Sequence, residues 1–436
     1  MGRGRKDGLQ ESWADPTPCL DAFPGDDTLD RAELDLSEGT SRRSPFPWHG
    51  QFSPQLIGSL LGAFFPDRPR IIDPFVGSGT LLREAALLEM PAAGAEISLA
   101  AFALACTRIF ANMGTRRRQS VLRRVGSLIA AAPANGVGTR LADLSRTETD
   151  GDVLTALDAF VVLLDMGGKE REEVRVERAW LRLRSAIEEM PQSEAPIEIV
   201  RADARSLPFP DGSFGGALTS PPYINVINYH QQYRASAEAL GSHVLSAARS
   251  EIGSNWRHRS NRFRIVVQYA LDMSAALAEM ARVCSPGSRL VLIVGRLSRV
   301  LGTALHNSEL VARVAVRAVG LEPLVRQQRE FTGRYGACVH EDILHFRLPG
   351  KVTPQADDAR NEAVDVLRQA FDRVPEESKE ALRRAANEAG DVGPSQVYGQ
   401  SVRDGCSPGI AVDMESMPTD RRLRADDHLA QGRRRR

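Results

Sequence analysis

From about residue 44 to residue 350, short continuous apolar runs alternate with amphipathic stretches of helical period. Runs of four to eight apolar residues bounded by turn formers read as buried strands, and repeats at three and four residues read as helices. On that basis Ser53 caps an amphipathic helix from Gln55 to Phe65, and Arg70-Ile71-Ile72-Asp73 forms a short buried strand. A helix from Leu81 to Leu88 and a second strand from Ala92 to Ile97 follow. Residues 98–190 are helical in character, with amphipathic runs from Leu154 to Leu164 and Glu172 to Met190. That length exceeds a simple crossover and predicts a helical insertion. Further strands are expected at Ile197–Val200, Gly216–Thr219, Arg289–Val294, Leu321–Val325 and Ile343–Arg347, with a helix from Val266 to Val283 ended by Ser285-Pro286-Gly287. The alternation predicts an α/β domain over 44–350 around a mostly parallel, seven-stranded sheet covered by helices. Residues 1–43 lack periodicity and read as a disordered or extended arm. Residues 351–436 read as one helix from Asp358 to Glu388 and then a flexible tail ending in four arginines.

Length, at 436 residues, allows one large α/β domain with appendages or two ordinary domains. No apolar stretch reaches the length of a membrane span, and Met1 to Lys6 lead into no apolar signal region, so a cytoplasmic protein is expected. The cysteines (Cys19, Cys106, Cys284, Cys338, Cys406) are far apart, which argues for reduced thiols and against a structural metal. Formal net charge is zero, so any contact with nucleic acid must come from a local patch. Lysine appears only at positions 6, 169, 351 and 379, and the remaining positive charge is arginine.

Two segments carry candidate chemistry. Asp73-Pro74-Phe75-Val76-Gly77-Ser78-Gly79-Thr80 lies between a strand and a helix, where glycines let backbone turn sharply and approach a ligand. Glu96 ends the second strand near the spacing of about 20 residues at which Rossmann-type folds place a ribose-binding acid. Asp203, after the third strand, is placed to meet a purine amine at the same sheet edge. Leu82 stands where a dinucleotide loop has its third glycine, and Gly79-Thr80 lacks the lysine of a phosphate-binding loop, so a nucleoside cofactor without a pyrophosphate fits better.

The second segment is Thr219-Ser220-Pro221-Pro222-Tyr223. Adjacent prolines fix φ and carry no N–H, leaving carbonyl acceptors that need an outside donor. With the Ser220 oxygen and the Tyr223 ring, they suit a flat base whose exocyclic amine donates two hydrogen bonds. From 224 to 264, Arg257, Arg259 and other arginines interleave with Tyr229, Tyr233 and Trp256, marking a candidate target-recognition segment.

The eight residues from Asp73 resemble the S-adenosylmethionine loop of amino-group DNA methyltransferases, and Thr219 to Tyr223 are similar to the catalytic motif of that family. The resemblance implies a Rossmann-like methyltransferase fold and S-adenosyl-L-methionine as cofactor. It implies cofactor contacts at Asp73, Phe75, Gly77, Ser78, Gly79, Thr80 and Ser220 and catalytic roles for Ser220, Pro221, Pro222 and Tyr223. Glu96 and Asp203 join the cofactor set by their strand-end positions, Tyr223 is expected to stack on the base, and Tyr229, Arg257 and Arg259 are expected to contact base or phosphate from the basic, aromatic segment. Serine at position 220 implies cytosine N4 in DNA, with a cognate restriction nuclease as a partner. Trp48 to Ile57 resemble the segment that covers the cofactor's methionine end in solitary members of the family. The motif order, loop first, departs from the best-known cytosine-N4 enzymes and also resembles RNA guanine-N2 methyltransferases. An RNA or adenine-N6 acceptor, or a noncatalytic binding protein, remain the alternatives.

Overall fold

The computed structural model describes residues 17–26, 28–35, 46–48, 50–51, 53–133, 135–224, 229–254, 258, 260–332 and 338–399. Its strands, in chain order, are β1 (Ile71–Asp73), β2 (Ala92–Ala95), β3 (Ile197–Val200), β4 (Phe214–Thr219), β5 (Cys284–Gly295), β6 (Leu297–Val300), β7 (Thr303–His306), β8 (Glu322–Thr332) and β9 (Cys338–Arg347). Seven of them form one sheet in the order β3-β2-β1-β4-β5-β9-β8, and β6 with β7 makes a separate hairpin. The first five pair in parallel, while β9 runs antiparallel to both of its neighbours. The protein is thus Rossmann-like, and strand order reverses between β1 and β4. That reversal opens a crevice at the carboxyl ends of the strands, where open α/β sheets bind ligands.

Side chains alternate across the sheet with period two. Ile72, Ala217, Leu290 and Leu292 join one core with the helix Arg264–Val283. Their neighbours Ile71, Leu218, Val291 and Ile293 join a second core with the helices Pro54–Phe64, Leu99–Cys106 and Gly151–Leu164. Both faces are covered, which is why the strands read as continuous apolar runs. Between β2 and β3 the insertion also contains the helices Thr115–Ala130, Val137–Ser145 and Glu172–Glu188. Asp150 caps Gly151–Leu164 by accepting from the Asp152 and Val153 amides.

Several boundaries differ from the expectation. Ser53 precedes the helix Pro54–Phe64 but does not cap it with its side chain; its hydroxyl bonds Gln55 instead. Ser285-Pro286-Gly287 lies inside β5, where the β4 register slips between Phe214 and Gly216, so Pro286 need not donate to the ladder. The β6–β7 hairpin was not expected, because Leu301-Gly302, with φ of 48° and 78°, is not a sequence that announces such a turn. The single expected C-terminal helix is two, Ala356–Gln369 and Glu376–Asn387, with Pro375 starting the second. Ala363, Val366, Leu367, Leu382 and Ala385 from this pair join the same core as Arg264–Val283. Within the expected arm, the Cys19 and Leu20 amides donate to the buried Glu309 carboxylate.

Among the described residues no helix is long and apolar enough to cross a membrane. Glu330, Cys338 and His340 bring ligating atoms close together on the β8–β9 hairpin, the first two exposed.

Candidate cofactor and acceptor site

The two motifs meet directly. β1 and β4 are neighbours, and the Thr219 hydroxyl donates to Asp73 Oδ1 at 2.5 Å. The Phe75 amide donates to the same oxygen at 3.0 Å, whereas Asp73 Oδ2 is buried with no hydrogen-bond partner. Burial pushes the Asp73 carboxyl up to about 7 against the lowering effect of those two donors. An orphaned carboxylate oxygen at a strand end is a ready acceptor for a ligand cation.

Past Asp73 the chain turns through Gly77 and Gly79, both at positive φ, into the helix Thr80–Leu87. A Cβ on Gly79 would sit 2.7 Å from Arg108 Cγ and 3.2 Å from Ala105 Cα, so only glycine fits there. Arg108 is fully buried and donates from Nε and Nη2 to the Ser78 carbonyl, with its guanidinium 4.6 Å from the Phe46 ring centre. Burial lowers its pKa to about 9. Gln51 donates to the Ser78 hydroxyl, which ties the segment before the first strand to the loop.

Glu96 closes the other side of the loop. Its Oε2 accepts from the Gly77 amide at 3.1 Å and its Oε1 from the Ser98 amide at 2.8 Å, while burial raises its pKa to about 7. Glu96 therefore shapes the glycine loop, and each oxygen keeps a lone pair for a ligand hydroxyl. Asp203 is used differently from the expectation. Its Oδ1 accepts from the Arg205 amide and Nε, and its Oδ2 from Arg205 Nη2 and the Tyr398 amide, at 2.7–3.0 Å. Those four bonds occupy the acceptor positions a carboxylate offers, so a purine amine finds none free on this side chain.

One cleft gathers much of this. It is lined by Trp48, Phe75, Gly77, Glu96, Asp203, Ser220, Pro222, Tyr229 and Glu251, together with Gly50, Pro74, Ile97, Ser98, Ala202, Ala204, Ser250 and Ile252. Ser220 and Pro222 thus share a wall with the glycine loop. Asp73, Ser78, Gly79, Thr80, Pro221 and Tyr223 of the expected set are not part of its lining. Arg257 and Arg259 fall outside the described residues.

Tyr223 rests against the bare backbone of Gly295, where a Cβ would come within 2.7 Å of its ring. Its hydroxyl donates to Glu341 Oε1 at 3.0 Å, and burial raises both groups above their ordinary pKa values. Pro222 is held by its carbonyl, which accepts from the Tyr269 hydroxyl at 2.9 Å. Trp48 stacks on Tyr229 and on Tyr233, with ring centres 6.4 and 6.3 Å apart. Glu251 binds both the amide of His230 (2.6 Å) and its ring Nδ1 (2.7 Å).

Sequence reasoning missed Arg108, Arg205, Glu251 and Glu341. Each has at least one partner more than twenty residues away, Ser78 for Arg108, Asp272 and Ser395 for Arg205, His230 for Glu251 and Tyr223 for Glu341, and no local spacing reports such a contact.

Residues 64–258 match a family model, UPF0020, RMKL-like, methyltransferase domain. No curated protein matches the chain. Among solved structures, an S-adenosylmethionine-dependent methyltransferase from Methanosarcina mazei is 15% identical, with 64% of this chain and 92% of that chain covered and a TM-score of 0.29. TrmN from Thermus thermophilus is 16% identical, covering 69% of this chain and 50% of that chain at a TM-score of 0.27. The rRNA methyltransferase AviRa from Streptomyces viridochromogenes is 13% identical, covering 78% and 96% at 0.30. Likeness at that level decides nothing about substrate. The family match spans the glycine loop, Glu96, Asp203 and the Ser220 motif, and it makes this a methyltransferase domain with S-adenosyl-L-methionine as its cofactor. The site fits that group: a cleft lined by the Glu96 and Glu251 carboxylates suits a sulfonium cation, and the unpartnered Asp73 Oδ2, buried next to the lining residues Pro74 and Phe75, suits an α-ammonium.

Proposed function

We propose that the chain methylates an exocyclic amine of a nucleic-acid base, and that the acceptor is RNA. The observation that carries the base-amine reading is the Thr219–Asp73 hydrogen bond, which fixes the Ser220-Pro221-Pro222 acceptors against the cofactor loop. The RNA acceptor is supported by the family match, to an RMKL-like methyltransferase domain, extending over both motifs. DNA cytosine N4 is the second reading, favoured by serine at position 220.

An exocyclic amine is a poor nucleophile because its lone pair is conjugated into the ring. In this reading the Ser220 oxygen and the Pro221 carbonyl accept the two amine protons and draw the nitrogen toward tetrahedral geometry. Asp73 holds the cofactor's ammonium, Glu96 its ribose hydroxyls, and Phe75 and Ser220 line its path. The cofactor supplies the electrophilic methyl group on its sulfonium. Tyr223 stacks on a base taken out of its helix, and its fixed hydroxyl sets the plane of the ring. Residues 44–350 form the methyltransferase unit, 98–190 its insertion and 224–264 its target-recognition segment, with Tyr229, Arg257 and Arg259 as acceptor contacts. Residues 1–43 and 351–436 are its extensions.

Nucleoside analysis after reaction with radiolabelled cofactor on total RNA and on DNA decides the acceptor. Label in an N-methylated nucleoside of RNA alone is the expected result. N4-methylcytosine in DNA alone transfers the conclusion to the second reading.

A further inference from the structure

Arg205 is the most heavily bonded side chain near the cleft, and three of its seven side-chain bonds reach the far end of the chain. Its side chain is 1% exposed and lies between Asp203 and Asp272, themselves 3% and 0% exposed. Beyond the two bonds to Asp203, Nη1 reaches Asp272 Oδ1 at 2.7 Å and the Ser395 carbonyl at 3.2 Å, and also bonds the Ser395 hydroxyl. Nη2 reaches the carbonyls of Ser250 and Gln396, both at 2.9 Å. The segment bonds back: the Ser395 amide donates to Asp272 and the Tyr398 amide to Asp203, at 2.8 and 2.9 Å. Arg201 lies 5.2 Å from the Tyr398 ring centre.

These bonds bracket the turn Ala202-Asp203-Ala204, all three residues of which line the cleft. The turn is short, and its internal ties are the Ser206 amide to the Asp203 carbonyl at 2.9 Å and the Arg205 amide to Asp203 Oδ1 at 3.0 Å. With the Asp203 carboxylate filled by the protein, what the turn offers a ligand is backbone. Backbone recognises a purine edge only if the turn is fixed.

We propose that Ser395 to Tyr398 belong to the cofactor site as positioning residues: through Arg205 and Asp203 they hold the Ala202–Ala204 backbone in the conformation that receives the cofactor's purine. The inference rests on the cofactor reading given above. It makes affinity at the nucleoside end depend on a segment outside the matched 64–258 region.

The test is calorimetric, on full-length chain, with S-adenosylhomocysteine and 5′-methylthioadenosine as probes. Tyr398→Pro removes the amide that binds Asp203, while Tyr398→Ala keeps that amide and removes the ring. Tyr398→Pro is expected to weaken both probes about tenfold and by the same factor, the scale of one lost hydrogen bond to a charged group, with Tyr398→Ala within about twofold of the unaltered chain. Asp73→Asn is expected to weaken S-adenosylhomocysteine and spare methylthioadenosine, which separates the two ends of the site. Unchanged affinity in Tyr398→Pro, tighter binding, or an equal loss in Tyr398→Ala overturns the inference while the cofactor reading stands. Failure of the unaltered chain to bind either probe overturns both.

Discussion

At the scale of single residues, the site is built from groups that are incompletely satisfied until a ligand arrives. Asp73 is the clearest case. Its folded pKa of about 7 lies above the ordinary value of 3.8, so the folded chain holds a proton that the unfolded chain releases. Glu96, also at about 7 against 4.5, behaves the same way. The stability these protons contribute is full below about pH 4 and is lost as pH rises through 7. An ammonium docked on Asp73 Oδ2 reverses that preference, because a cation at contact distance favours the carboxylate. S-adenosylmethionine should therefore bind more tightly at pH 8 than at pH 6, with release of protons. Calorimetry in buffers of different ionisation heat reads the release directly. Asp73→Asn should lower affinity and flatten the pH dependence, and buffer-independent heats would remove Asp73 from the cofactor's ammonium. Gly79 tests the loop without charge. At φ of 83°, with Arg108 Cγ 2.7 Å from the position of a Cβ, Gly79→Ala should cost about 1–3 kcal/mol in thermal unfolding. An alanine variant as stable as the parent would mean that the loop relaxes freely.

Elements, rather than residues, decide what Tyr223 does. The ring is fixed from two strands at once: β5 offers Gly295 as a flat support, and β9 offers Glu341 to its hydroxyl. Tyr223→Phe keeps the ring and loses the tether, whereas Tyr223→Ala loses both. If the ring stacks on a base, kcat/KM should fall several-fold in the phenylalanine variant and about a hundredfold in the alanine variant, the larger loss being the stacking energy of about 1–3 kcal/mol plus the tether. Equal losses would limit Tyr223 to a structural part. Elements also explain what the sequence could reveal. Strands buried on both faces announce themselves as apolar runs, so β1 to β5 were legible, as were both motifs at strand ends, whereas their order in the sheet was not read from the sequence. Turn signals failed where the residues were atypical, at Leu301-Gly302, and where a proline lay inside an irregular strand, at Pro286. The role expected of Asp203 failed for a different reason. Its position at a strand end was legible, but its partner Tyr398 is far away in sequence, and no local pattern reports a long-range hydrogen bond.

For the whole molecule, the question is whether the polar C-terminal extension is separable from the sheet it follows. Composition suggests that it is, since hydrophobic density falls after Pro349. Packing says otherwise. The helix Ala356–Gln369 places Ala363, Val366 and Leu367 against Arg264–Val283, and Leu382 and Ala385 of the next helix cover the same core. Glu362 pairs with Arg317 and Arg313, fastening the extension to the segment that precedes β8. A fully buried valine or leucine contributes about 1.5–3 kcal/mol, so removing three such side chains withdraws a large share of the 5–15 kcal/mol that keeps a typical domain folded. The network around Arg205 points the same way, because Asp272 and Arg205 would both lose Ser395. A chain ending at Gly350 should therefore aggregate or melt far below the full-length protein, with helix Arg264–Val283 exposing its apolar face. Circular dichroism melts and size-exclusion chromatography of the two chains check this. A soluble shortened chain with an unchanged, cooperative transition would show that the extension is a separate appendage, and the sheet would then have to be stable with one side of that helix bare.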